Sequence, residues 1–267
     1  MPPGPPPSTP GPPSPPGPPS TQASAPPGLG PLALLHTSPV HVPVFDALRD
    51  ADHPGLELRH LVDEELLARA RREGPEAVAG EVRELLAGAV ADGARAVLCT
   101  CSTIGAVAER TDAGVPVLRV DRPMAAAAVV TGARIVVLAT VASTLEPTVA
   151  LVEEEARRAG RPVEVRTSLV ENGWSLFEAG DTDGCARAVA AAADAVADAD
   201  VIVLAQASMT PGGSLTTTPV PVLSSPRPGL AAAADAVRAT DAVRAGMVHT
   251  ADATRRPAAA ARAVHAE

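Results

Sequence analysis

The chain is 267 residues long, 46% apolar and 20% charged, and its formal charge of −9 at neutral pH excludes the basic face that a nucleic-acid binder presents. Aromatic residues make up only 1%, which excludes base-stacking platforms, and no apolar run approaches the ~20 residues of a membrane-spanning helix. Cys99, Cys101 and Cys185 are the only thiols, an odd set that argues against a disulfide framework and for a reducing, cytoplasmic setting, while the absence of any Lys excludes both a Schiff-base lysine and a phosphate-loop lysine.

In chain order, residues 1–30 come first and consist almost entirely of Pro, Gly, Ser, Thr and Ala without a single charge. Such a segment buries too little surface to offset the entropy of ordering it, so a disordered, partly polyproline II tail is expected. It lacks the basic start and apolar stretch of a secretory leader and the Arg of a transit peptide.

From there the pattern alternates between short Val/Ile/Leu runs and longer stretches with helical spacing. That is the signature of parallel sheet covered by helices on both faces. Strands are predicted at 32–35, 56–60, 96–99, 117–120, 134–139, 163–169, 201–205 and 220–223. They fall into two sets of four that resemble each other. LALLHT at Leu32 answers IVVLAT at Ile135, LELR at Leu56 answers VEVR at Val163, and VLCTCS at Val97 answers VLAQAS at Val203. Finally VPVLRVDRP at Val115 answers VPVLSSPRP at Val220, all four at offsets of 103 to 107 residues.

The fold class expected is therefore α/β, with two similar, pseudo-twofold related lobes of parallel sheet. Residues 31–127 with 222–245 are expected to form the first lobe and 128–221 the second, with 246–267 as a partly helical or frayed tail. In such sheets ligands meet the loops at the carboxyl ends of the strands. Two facing lobes bring to one cleft His36, Thr37 and Ser38, then Cys101, Ser102 and Thr103, then Asp121 and Arg122. The second lobe contributes Thr140, Ser143, Thr144, Gln206, Ala207 and Ser208, making a hydroxyl-rich set with one thiol at its centre.

These residues resemble the aspartate/glutamate racemase superfamily, which also holds hydantoin racemases, maleate isomerases and arylmalonate decarboxylases. The likeness runs from Leu32 to Ala245 and rests on TCST (Thr100 to Thr103) after a buried strand, VLATVASTLEPT (Val137 to Thr148) opening the second lobe, and VIVLAQASM (Val201 to Met209). It implies two α/β lobes, no cofactor, no metal and a small-molecule carboxylate substrate such as an amino acid. In the family's racemases one thiolate removes the α-proton and a thiol from the other lobe returns one. Carried onto this chain, the resemblance makes Cys101 the acid/base or nucleophile and Ser102 and Thr103 its flanking donors. Thr37, Ser38, Gln206, Ala207 and Ser208 stand beside the substrate, and Thr140, Ser143 and Thr144 form the loop that binds a carboxylate.

The opposing thiol has no match. The family pattern aligns it with Gln206, whereas the internal repeat aligns Cys101 with Ala207, and neither side chain is an acid or base. A cofactor-independent isomerase is still the first expectation, with a one-thiol decarboxylase or hydrolase and a non-catalytic carboxylate-binding protein as the alternatives. His36 is a candidate substitute proton donor, with His41 beside it at the first strand's exit; Glu171 is a further candidate, and Asp46 and Glu146 stand at corresponding places in the two lobes. Cys99, Cys185, Trp174 and Phe177 are expected to pack, and no His or carboxylate cluster completes a metal site with the thiols. A homo-oligomer is left open.

Overall fold

In a computed structural model of the chain, residues 29–254 are described, with side chains as far as 245. The expectations for the Pro-rich segment through residue 28, and for 255–267, lie outside the described residues.

The first half runs β1 (Leu32–His36), α1 (Val42–Asp52), β2 (Leu58–Val62), α2 (Glu64–Glu73), α3 (Ala79–Ala91), β3 (Ala96–Cys99), α4 (Ser102–Glu109) and β4 (Val117–Arg119). The second runs α5 (Arg122–Thr131), β5 (Arg134–Ala139), α6 (Leu145–Ala159), β6 (Glu164–Leu169), α7 (Gly173–Glu178), α8 (Thr182–Asp194), β7 (Val201–Leu204), α9 (Thr210–Gly213), β8 (Val222–Leu223) and α10 (Pro226–Thr254). All eight expected strands are present, with ends shifted by two residues or fewer. They form two four-stranded parallel sheets of order β2-β1-β3-β4 and β6-β5-β7-β8.

The central strands explain themselves. LALLH and VIVL are buried at every position because helices cover both faces, so an unbroken apolar run is what such a strand requires. The edge strand EVRTSL is largely exposed and correspondingly polar, with Val165 and Leu169 as its apolar residues. Helix starts are fixed locally: the Asp63 carboxylate accepts from the Glu65 and Leu66 amides at the head of α2, and Asp181 accepts from Gly184 at the head of α8.

Two crossings of the chain differ from the expected lobe boundaries. The buried face of α5 (Met124, Ala125, Ala128, Val129) joins the core of the second sheet, so the first crossing falls at its start rather than at 127. Val222 and Leu223 pair with β7, so the return begins at Pro226 rather than at 222. α10 then buries Leu230, Ala233, Ala234 and Val237 against the first sheet. Gly229 sits so close to β4 that a Cβ there would collide with the Val120 carbonyl oxygen and lie 3.0 Å from its Cα. Each lobe is thus completed by a helix entering from the other. No helix among the described residues is long and apolar enough to cross a membrane.

Candidate active site

In a parallel sheet of this order, the crevice opens where the chain reverses its direction of travel across the sheet, between the carboxyl ends of the two central strands. Here those are β1 and β3 in one lobe and β5 and β7 in the other, and the two crevices face each other. Leu35 pairs with Cys99 and Leu138 with Leu204, so Cys101 and Gln206 each stand two residues past the last paired residue of their strand. This corrects the internal sequence alignment: the counterpart of Cys101 is Gln206, not Ala207. The reason is a one-residue drift between the motif match and the hydrogen-bonded register.

A cavity with about 70 Å³ of free volume lies between the lobes. Of the expected residues, Thr37, Ser38, Cys101, Ser102, Thr103, Thr144, Gln206, Ala207 and Ser208 line it. Cys101 is half-buried at the N-cap of α4, and the Ser102 hydroxyl donates to the Ala205 carbonyl 2.9 Å away, tying the lobes together at the thiol. Ser143 is exposed and off the cavity, because it falls on the outer side of a 3₁₀ turn. Thr140 is buried and also off the lining. Its amide and its hydroxyl donate to Gln206 Oε1 at 2.7 and 3.0 Å, and the Val141 amide joins them at 3.2 Å.

The cavity also takes six residues that the sequence does not place there: His41, Leu67, Arg71, Thr100, Trp174 and Phe177. Trp174 and Phe177, expected as packing, stack at 5.5 Å and form part of the wall. Arg71 on α2 lies 5.2 Å over the Trp174 ring on α7, so the two lobes meet again across the mouth. Arg71 has no acidic partner among the described residues. Nothing in the local sequence marks Leu67 or Arg71, whereas an aromatic pair in an otherwise aromatic-poor chain was a usable signal.

Behind the thiol runs a buried chain of hydrogen bonds. The Thr100 hydroxyl donates to the Leu35 carbonyl at 3.1 Å, which leaves it to accept from His36 Nδ1–H at 2.8 Å. His36 Nε2 must then accept from His60 Nδ1–H, also at 2.8 Å, and His60 Nε2 faces Asp46 at 3.4 Å. His36 is wholly buried and off the cavity, and burial with two histidine neighbours pulls its pKa down to about 3. It orders the strand end rather than offering a proton to the cleft. His41 does line the cavity; burial lowers its pKa too, so it is neutral at pH 7. Glu171 is exposed and off the lining.

Two further expected cleft residues are committed elsewhere. Asp121 is held by both arms of Arg119, at 2.6 and 2.9 Å, with both side chains nearly inaccessible. Arg122 clamps Glu109 of α4 with Glu154 and Glu155 of α6. Cys99 is fully buried in the first core and Cys185 in α8, and the described residues hold no group of His, Cys, Asp and Glu fit for a metal.

A model of the Asp/Glu/hydantoin racemase family matches residues 37–233, well over half of the chain and both lobes. The protein belongs to the Asp/Glu/hydantoin racemase family. Solved structures show the same fold. An aspartate racemase from Picrophilus torridus superposes with a TM-score of 0.59 at 15% identity, over 79% of this chain and 94% of the other. A glutamate racemase from Thermus thermophilus in complex with β-chloro-D-alanine gives 0.54 at 21% identity, over 80% and 81%. A glutamate racemase from Francisella tularensis in complex with D-glutamate gives 0.57 at 12% identity, over 83% and 82%. No curated protein matches the chain in sequence. Within the racemase family fold, the present chain thus assembles one thiol, one imidazole and one guanidinium on a small cavity that is otherwise uncharged.

Proposed function

We propose that this racemase-family protein is a cofactor-independent isomerase acting on a small carboxylate, with Cys101 as the proton-transferring group. The observation that carries the reading is the charge and proton inventory of the cavity: among the described residues Arg71 is its only cation, no Asp or Glu lines it, and Cys101 and His41 are its only proton carriers. A lone cation in a small pocket favours an anionic ligand. In the reaction the thiolate takes the proton from the carbon next to the carboxylate. The electron pair passes into the carboxylate as an enolate, which the hydroxyls of Thr103 and Ser208 and nearby backbone amides are disposed to hold. His41, neutral and without a side-chain hydrogen-bond partner among the described residues, can take the Cys101 thiol proton to leave the thiolate, and the imidazolium so formed returns a proton to the carbanion. The β-chloro-D-alanine of the Thermus thermophilus neighbour is a small amino acid with one carboxylate, and that supports the same substrate class here.

Proton NMR in D₂O tests the proposal, with amino acids, hydantoins, maleate and simple 2-substituted carboxylates as substrates. Loss of an α-proton signal with the intact protein and its persistence with Cys101→Ala are expected. Exchange that survives Cys101→Ala refutes the role given to the thiol; silence across the panel turns the reading to a non-catalytic carboxylate-binding protein.

A further inference from the structure

The two lobes repeat the same strand order, and each has a turn after its first central strand that begins with a threonine, Thr37 in the first lobe and Thr140 in the second. In the second lobe that cradle is Thr140 N, Thr140 Oγ1 and Val141 N, and all three donate to one oxygen, the Gln206 amide Oε1. A single acceptor gathering three donors is the coordination that a carboxylate oxygen or other small anion receives. In the first lobe the matching turn is Thr37–Ser38, the residue in the place of Gln206 is Cys101, and no side chain among the described residues closes the turn. Thr37 and Ser38 both face the cavity, while Thr140 does not.

We propose that Gln206 is a specificity-determining residue: its amide fills the second lobe's anion cradle, so the site accepts substrates with one carboxylate, bound by the first-lobe turn and Arg71. The charge of the cavity agrees, since one guanidinium and no acid complement one negative charge. A dicarboxylate needs a second anion site on the other lobe, and there it must displace an intramolecular acceptor already held by three hydrogen bonds. The chain length of Gln206 is suited to this closure: its amide reaches back to the turn, and its carbon stem leaves no acid or base opposite Cys101. It follows that malonate-type substrates, which carry two carboxylates, are disfavoured, and with them a malonate decarboxylase activity. This inference rests on the carboxylate reading of the site given above.

The chain's single tryptophan, Trp174, lies on the cavity wall, so its fluorescence reports binding directly, with calorimetry as the second readout. The probes are length-matched pairs: propionate against malonate, and butyrate against succinate. The wild-type protein is expected to bind each monocarboxylate more tightly than its dicarboxylate, by about tenfold for a charged group denied its hydrogen bonds. Gln206→Ala opens the cradle and raises the dicarboxylate-to-monocarboxylate affinity ratio by about tenfold. Gln206→Glu keeps an acceptor of nearly the same length on the cradle and retains the monocarboxylate preference, which separates closure from a general loss of folding. Equal or tighter dicarboxylate binding by the wild type, an unchanged ratio in Gln206→Ala, or no binding of either class overturns the proposal. Because the ratio is a binding property, it is also measured in Cys101→Ala. Selective binding without proton exchange sinks the catalytic reading and leaves this one standing; exchange on a dicarboxylate does the reverse.

Discussion

Burial of His36 makes the fold acid-sensitive in a calculable way. The imidazole titrates near 6.5 when free, and in the fold its pKa falls to about 3, first through desolvation and then through its histidine neighbours. A group whose folded pKa is depressed binds its proton more readily in the unfolded chain. Its contribution to stability is therefore intact above pH 6.5 and is lost progressively as the pH falls toward 3. Each unit below 6.5 costs about 1.4 kcal/mol, so at pH 4.5 the loss is about 3 kcal/mol, a large part of an ordinary domain's stability. The measurement is urea unfolding of the wild type and of His36→Gln at pH 7.5 and pH 4.5. The variant begins less stable because the link between Thr100 and His60 is cut, yet it loses about 3 kcal/mol less across the interval. His41 shifts in the same direction and contributes equally to both proteins. Asp200, held down to about 2 by Arg134, acts only at lower pH and also cancels. If both proteins lose the same stability between the two pH values, His36 is not the neutral buried imidazole described here.

Other perturbations probe separate parts of the framework. Asp121→Asn leaves the Arg119 guanidinium buried without its counter-charge and is expected to destabilise by about 3–5 kcal/mol, read from denaturant midpoints; a change under about 1 kcal/mol contradicts the pairing. Gly229→Ala forces α10 away from the Val120 carbonyl and should cost about 1–3 kcal/mol, with a neutral result showing that the helix has room to shift. Brief iodoacetamide treatment of the native protein followed by mass spectrometry should modify Cys101 and spare Cys99 and Cys185, whose thiol pKa values are both raised by burial; labelling of Cys99 ahead of Cys101 would reverse their placement.

The amino-acid sequence alone determined the architecture: buried parallel strands read as unbroken apolar runs because both faces are covered, and the repeated strand ends announced two lobes. It also pointed to the strand end where the cavity thiol stands, since a residue just past a buried strand and ahead of a helix lies at the open edge of such a sheet. The lobe crossings were not legible, because α5 and α10 are Ala-rich helices whose small side chains suit either core. Only tertiary structure decided who shares the cavity. Leu67 and Arg71 reach it from α2 and Trp174 from α7, and no spacing along the chain encodes a meeting across lobes. Tertiary structure likewise decided the partner of Gln206, whose sequence position says only that an amide stands just past a buried strand. Its oxygen is captured by donors 65 and 66 residues away, since a side-chain amide takes whichever unsatisfied backbone groups the fold places within reach.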